Sequence, residues 1–374
     1  MISNFRHPVL NATVNDLLAR LPPDPLMHRI LSFPAPNVPH GASPTTKSEP
    51  TIWPLGEKTY LMATLNTTPD SFSDGGENNS LTAAIQYSLQ SSADIVDIGG
   101  YSTRPGSSTV SEEEELERTV PYFRALRNAG IKGPLSVDTF RASVAKRCIE
   151  EGANCLNDVY ALTGPHVGVA DTKQGDVVLD GDGVEVSDGD AMLNLAVSSK
   201  VPVILMHSRG PADANKDYSA FREGDVVEGV RSELELRVGR ALKAGVRRWN
   251  IVLDPGIGFS KSVEANLRLI REHSKLTQKS RATLPVEYSL PASPAVNLEG
   301  FATLVGTSRK GYLAHVLGRP ETLSDAKERE WGTAAAVTAL VQQGVDVVRV
   351  HSVQAMRDVV KVADAIWRNR RIDK

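Results

Sequence analysis

From Tyr60 onward the chain repeats one pattern eight times: a short apolar run, a polar or glycine-bearing turn, then a helix-length segment with one apolar face. The runs are LMATL (61–65), DIVDI (94–98), PLSV (134–137), ANCLN (153–157), VPVILM (201–206), NIVLD (250–254), ATLVG (302–306) and DVVRV (346–350). Helical patterns lie near 81–92, 112–129, 141–151, 188–199, 225–245, 263–276, 325–343 and 353–369. Runs that are apolar on both faces suit parallel strands covered by helices. Eight strand–helix units in 374 residues predict an α/β fold of the (β/α)8 TIM-barrel type. An open, doubly wound sheet is the alternative, because periodicity alone does not show closure.

Two stretches interrupt the rhythm, 164–187 after the fourth strand and 277–301 before the seventh. Neither holds a recognisable site, and disorder or surface decoration is expected of both. Ahead of the repeat, positions 8–54 carry many prolines and 34–50 (PAPNVPHGASPTTKSEP) adds Ser and Thr. Such a composition buries too little apolar surface to offset its ordering entropy. Residues 1–55 are therefore read as an arm or linker and 56–374 as the barrel. Within the arm, Val9, Val14, Leu17, Leu18 and Leu21 suggest one short amphipathic helix, capped by Thr13 or Asn15.

Composition removes several functions. With 42 Lys+Arg against 45 Asp+Glu, the net charge of −3 argues against a dedicated nucleic-acid binder. No apolar run reaches the ~18 residues of a membrane span, and the N-terminus lacks the order of a signal peptide. Cys148 and Cys155 form neither a disulfide framework nor a CxxC pair. A reducing, intracellular setting is expected, with cytoplasm and mitochondrion both open. The eight histidines show no HExxH or Cys/His ligand spacing, so a protein-built zinc site is not expected.

In a barrel of this type the C-terminal strand ends face the active site. Here each carries polar residues: Asn66, GGYSTRPG (99–106), Asp138, Asn157-Asp158, Met206-His207, Asp254, Ser308-Arg309-Lys310 and Arg349-Val350-His351. Ordinary readings exist for each alone. Asp138 would pass as a helix N-cap, and Asn157-Asp158 as a turn. Met206 would pass as core filler, His207 reads as a satisfied structural histidine, and Glu112–Glu115 reads as a solvated first helical turn. The joint occurrence at all eight ends favours a site. Arg104, Arg349 and His351 at one mouth suit a phosphate or diphosphate. Asn66 suits a Mg²⁺ shared with substrate phosphates and waters. Asp138, Asn157, Asp254 and Lys310 would line the centre, where carboxylates suit the adjacent N–H groups of a 2-amino-4-oxo pyrimidine edge. No P-loop, Ser-His-Asp order or dinucleotide fingerprint follows any strand.

Together, NTTPDSFSDGG (66–76), DIGGYSTRPG (97–106), SVDTF (136–140), NDV (157–159), ILMHSRG (204–210), LDPGIGF (253–259), GTSRKGYL (306–313) and RVHS (349–352) resemble dihydropteroate synthase, the folate-pathway transferase targeted by sulfonamides. They occur in family order over nearly all of 60–370. The resemblance implies a (β/α)8 barrel that joins 6-hydroxymethyl-7,8-dihydropterin diphosphate to 4-aminobenzoate, with Mg²⁺ as cofactor and an SN1-like loss of diphosphate. It assigns Asp138, Asn157, Asp254, Lys310 and Met206 to the pterin. It assigns Asn66 to the metal, and Asn66, Arg104, Arg349 and His351 to the diphosphate. Aminobenzoate falls to Thr103, Pro105, Phe259, Ser308 and the Lys310 stem. Asn66, Arg104, Lys310, Arg349 and His351 form the catalytic set it implies. The loops at 67–76 and 100–108 would close over the reactants, with Asp70 or Asp74 ordering the first. A homodimer through the later helices is also implied.

Residues 6–22 resemble the tail of hydroxymethyldihydropterin pyrophosphokinase. In fungi that kinase and an aldolase are fused upstream of the synthase, so the chain is expected to be the C-terminal part of such a multifunctional protein. Three positions depart from the family pattern. Tyr101 stands where Glu is common, Gly311 where Ser or Arg is familiar, and Ser352 where Asp is usual, the last bearing on how His351 is oriented. Two rivals are a pterin-binding methyltransferase that serves a corrinoid and a catalytically silent barrel kept as a docking module. STRPG and SRK count against the first, and the intact strand ends against the second.

Overall fold

The computed structural model describes residues 29–37, 49–67, 81–101, 110–164, 177–179, 185–210, 214–219, 221, 224–277, 296–319 and 326–368. Eight parallel strands close into a barrel: β3 (Tyr60–Asn66), β4 (Ile95–Gly99), β5 (Leu135–Asp138), β6 (Cys155–Asp158), β9 (Val203–Met206), β10 (Ile251–Asp254), β11 (Ala302–Gly306) and β12 (Val347–Val350). The closing pair joins β12 to β3, with Val347 opposite Tyr60 and Arg349 opposite Met62. Closure decides against the open sheet. Each strand falls on one of the apolar runs, displaced by no more than two residues at either end.

The outer layer is α1 (Leu81–Ser91), α2 (Glu112–Asn128), α3 (Ala142–Glu150), α4 (Asp188–Ser199), α5 (Val226–Ala244), α6 (Val263–Arg271), α7 (Gly311–Val316), α8 (Glu330–Gln342) and α9 (Val353–Trp367). Local chemistry sets their ends. Ser111 caps α2 by accepting from the Glu114 amide, and Asp225 caps α5 by accepting from the Val227 and Glu228 amides. Gly245, at φ +109°, ends α5 in the left-handed conformation a C-cap needs. Between the strands and these helices lies the main core, which includes Ile98, Val137, Phe123, Leu205, Leu253, Val305 and Val348.

A second apolar cluster fills the lower end of the barrel and corrects the reading of the N-terminal region. Residues 29–37 and 49–55 are not a loose arm. β1 (Ile30–Phe33) and β2 (Thr51–Pro54) pair antiparallel, and Leu31, Phe33, Trp53 and Leu55 pack onto Tyr60, Met62, Ile204, Val252 and Leu304. Trp53 stacks on Tyr60 with ring centroids 4.2 Å apart. Arg29 ties the hairpin down, donating to the Phe301 carbonyl at 2.8 Å and to buried Asp346 at 2.6 Å. The expected boundary at residue 56 therefore falls inside packed structure, because two four-residue strands lie hidden among the prolines. The amphipathic pattern at 9–21 lies outside the described residues.

The insertion at 164–187 contains a small antiparallel pair, β7 (Val177–Leu179) and β8 (Glu185–Ser187), so part of it is regular structure. Of the second insertion, 278–295 lies outside the described residues. Glu115 also departs from the expected solvated turn: it is fully buried and pairs with Arg141. Among the described residues no helix is long and apolar enough to cross a membrane.

Candidate functional site

The strand register places the polar residues side by side at one mouth. Asp138 lies opposite Asn157, Asp254 opposite buried Met206, and Asn66 opposite Gly99. Arg349, near the end of β12, reaches across the barrel. Its Nε donates to Asp97 Oδ2 at 2.7 Å and its Nη2 to Asp138 Oδ2 at 2.8 Å. The Asn157 amide donates to the same Asp97 oxygen at 3.0 Å. Asp97 Oδ1 is buried with no hydrogen-bond partner among the described residues. A buried carboxylate oxygen without a donor is costly unless a ligand supplies one.

Asp97 is the functional candidate the sequence reading missed. Its signal was present: a carboxylate between Val96 and Ile98, in the middle of a strand otherwise apolar on both faces. Burial pushes Asp138 up to about 7, with the neighbouring Asp97 charge adding and Arg349 opposing. Asp254 is raised by burial and held back by the Gly256 amide and by Lys310, Lys261 and Arg349. Asp138 is not a helix cap, since Arg141 occupies the N-cap of α3. Asp158 is the turn residue of its pair, accepting from the Tyr160 and Leu162 amides at 2.8 Å each.

Lys310 leans over the turn that follows β10. Its Nζ donates to the Ile257 carbonyl at 2.5 Å and lies 4.4 Å from the centre of the Phe259 ring. Glycine is required beneath it: a Cβ on Gly258, at φ +82°, would stand 2.7 Å from Lys310 Cδ. Beside it, Ser308 Oγ lies 3.0 Å from His351 Nδ1 and accepts from the His351 amide at 3.2 Å. The orientation of His351 is thus set by Ser308, and Ser352 does something else. Its hydroxyl accepts from Arg309 at 2.7 Å, while Arg309 also pairs with Glu330 at 3.1 Å. Tyr101 meets Phe140 edge-on at 5.4 Å, with the Arg141 guanidinium 5.3 Å from its ring.

The structure thus brings Asn66, Asp138, Asn157, Met206, Asp254, Phe259, Ser308, Lys310, Arg349 and His351 to one end of the barrel. Thr103, Arg104 and Pro105, like Asp70 and Asp74, lie outside the described residues. His207 is a structural histidine, held at 0 % exposure between Glu233 and Lys261.

The pterin binding enzyme family matches residues 62–351, which span the closed barrel and the polar residues at its mouth. The chain belongs to that family. Within it, the chain stands among the dihydropteroate synthases, transferases of folate synthesis. It is 39 % identical to the dihydropteroate synthase of Synechocystis over 322 residues, covering 85 % of this chain and 93 % of that protein. It is 40 % identical to the folic acid synthesis protein fol1 of Schizosaccharomyces pombe over 307 residues, which is 82 % of this chain but 36 % of that longer protein. Among solved structures, the Xanthomonas albilineans dihydropteroate synthase with 4-aminobenzoic acid superposes with a TM-score of 0.64 at 32 % identity, covering 84 % of this chain and 95 % of that one.

Proposed function

We propose that the chain condenses 6-hydroxymethyl-7,8-dihydropterin diphosphate with 4-aminobenzoate, giving 7,8-dihydropteroate and diphosphate. The observation that carries this reading is the set in which buried Asp97 and Asn157 meet the partly buried Arg349 and Asp138, with an acceptor oxygen of Asp97 left without a donor among the described residues. The amino-pyrimidine edge of a pterin offers adjacent N–H groups that such oxygens accept. Asp254 and Lys310 complete the ring's surroundings, the lysine facing the exocyclic oxygen and ring nitrogen, with Met206 packed near by. Phe259 and Ser308, with Thr103 and Pro105, take the aminobenzoate. Asn66, Arg104 and His351 take the diphosphate, and Arg349, already paired with two acids, orders the pterin side as well as the leaving group.

The donor set fits Mg²⁺. Asn66, the last residue of β3, offers one neutral amide oxygen at the mouth. Mg²⁺ keeps several waters and is held through one or two protein oxygens plus substrate phosphates, so no protein cage is needed. When bound, it would neutralise charge on the departing diphosphate. The chain's own residues hold the pterin so that its methylene carbon faces the amine. The C–O bond to diphosphate breaks ahead of C–N formation, the amine lone pair closes the new bond, and its proton passes to solvent. Positioning and charge stabilisation suffice, with no covalent enzyme intermediate.

Three further points belong to the same reading. The 36 % share of fol1 supports a reading of the chain as one part of a longer multifunctional folate-synthesis protein. The exposed Val316 at the end of α7, Leu317 just after it and Trp331 on α8, with Val362 and Ile366 on α9, support a homodimer through the later helices. Free, buried Cys148 and Cys155 suit a reducing interior.

The test is diphosphate release from purified protein given Mg²⁺ and both substrates. Release that requires both Mg²⁺ and aminobenzoate, and that falls at least about 100-fold in Lys310→Ala, is the expected result. Pterin binding without release would favour a silent or corrinoid-linked barrel. Neither binding nor release would sink the reading.

A further inference from the structure

Behind the pocket floor lies a group of buried ionisable side chains that the reaction as described does not use. Lys261 is 5 % exposed and has three acceptors for its three N–H bonds: His207 Nδ1 at 3.0 Å, the Gly256 carbonyl at 3.0 Å and the Phe259 carbonyl at 2.8 Å. Burial lowers Lys261 well below the usual ammonium range, with Asp254 and Glu233 opposing; as an ammonium, which only donates, it makes His207 Nδ1 the acceptor and puts the imidazole proton on Nε2. That nitrogen lies 2.8 Å from Glu233 Oε2, whose other oxygen is gripped by Arg209 through Nε at 2.9 Å and Nη2 at 2.5 Å. Burial, with Lys261 adding, lowers the His207 value to about 3, consistent with a neutral ring that receives the lysine's hydrogen bond.

The chain of contacts runs from α5 through the end of β9 into the turn that bears the pocket. The Gly256 amide donates to Asp254 Oδ1 at 2.7 Å, and the Phe259 amide to the Gly256 carbonyl at 3.1 Å. At Gly256, with φ +66°, a Cβ would fall 2.0 Å from the His207 carbonyl oxygen, so the turn lies directly against the strand end. The same turn presents the Ile257 carbonyl and the Phe259 ring to Lys310.

We propose that Lys261 is a positioning residue for the reaction. Braced by His207 and Glu233, it clasps the turn at 254–261 so that the docking point of Lys310 holds a fixed position beside the pterin. The inference rests on the synthase reading and adds to it a residue that touches no substrate.

The test is a double-mutant cycle read as the dissociation constant of 6-hydroxymethylpterin, with thermal midpoints and diphosphate release measured alongside. If Lys261 acts through Lys310, Lys261→Met weakens binding about tenfold, and Lys261→Met added to Lys310→Ala weakens it by less than about twofold more. A purely structural lysine gives another pattern: the midpoint falls while the dissociation constant of the folded protein holds within about twofold, or the two losses multiply. Either of those results overturns the proposal. Should Lys261→Met not fold, His207→Gln replaces it in the cycle, since it removes the Nδ1 acceptor and keeps a donor towards Glu233. An unaltered protein that neither binds pterin nor releases diphosphate overturns the synthase reading and this inference with it. Turnover in the unaltered protein combined with a multiplicative cycle overturns the role of Lys261 alone.

Discussion

Among the described residues Arg349 is the cation that bridges Asp97 and Asp138, and much of the pocket's behaviour follows from that arrangement. Removing one member of a buried ion pair leaves the other uncompensated, which costs roughly 3–5 kcal/mol. Arg349→Met should lower stability by about that amount in a urea titration, and adding Asp97→Asn should restore part of it by removing the stranded charge. If the second change deepened the loss, the charge argument would be wrong. Asp138 gives a pH signature. Its folded value of about 7 lies above the 3.8 of an exposed aspartate, so the folded chain binds more protons between these values. The group's contribution to stability therefore falls as pH rises through that window. Pterin affinity should run the other way, strengthening from pH 5.5 to 8 as the carboxylate becomes a full acceptor for ligand N–H groups. Fluorescence titrations of 6-hydroxymethylpterin across that range should show a midpoint near 7 that disappears in Asp138→Asn; a flat profile in the unaltered protein would count against it. Asp138 was legible as a site residue because it ends a strand. Asp97 was not, because it lies inside one, and only its charge in an apolar run marks it.

The elements divide along the same line. Strands of a parallel barrel are apolar on both faces and helices carry one stripe, so the eight barrel strands and all the long helices between them could be laid out from periodicity, while the short α7 and the β7–β8 pair could not. The hairpin of β1 and β2 escaped that test. Its strands are four residues long, the second ends in Pro54, and a proline-rich spacer separates them, so composition pointed to a linker. Their worth shows only when the barrel floor is closed, with Phe33 and Trp53 meeting edge-on at 4.6 Å above Tyr60. Glu115 escaped for a related reason: its neighbours Glu112, Glu113 and Glu114 are exposed, and its partner Arg141 lies at the N-cap of the next helix. Trp53→Ala should cost about 3–5 kcal/mol, the usual range for emptying a buried aromatic site. Because the hairpin and the pocket occupy opposite ends of the barrel, pterin affinity in the folded variant should stay within about twofold. A large loss of affinity at unchanged stability would show that the floor and the mouth are coupled.

For the whole molecule, the described surface is least like that of a monomer on its last three helices. Trp331 is 87 % exposed, and Val362 and Ile366, four residues apart and so on one face of α9, are 61 % and 58 % exposed. Gly332 sits where a Cβ would meet Leu313 and Leu317 side chains at 3.4 Å, which places the start of α8 against the end of α7 and groups Trp331 with exposed Val316 and Leu317. Apolar groups gathered in this way mark an interaction surface. A second copy of the chain would cover the tryptophan, and a buried carboxylate in its place would oppose that contact. Trp331→Glu should therefore halve the mass seen by sedimentation at micromolar concentration. Within the chain, α8 holds the Ser308–Lys310 segment through the Arg309–Glu330 pair and through Thr333 Oγ1, which accepts from the Arg309 amide at 3.1 Å. Neither contact involves the indole, so the monomeric variant should release diphosphate within about twofold of the unaltered protein. A change of mass without loss of turnover would show that dimerisation and chemistry are separable in this barrel. An unchanged mass would show that the exposed helices meet some other partner, and the domains expected upstream in the fusion would be the first to test.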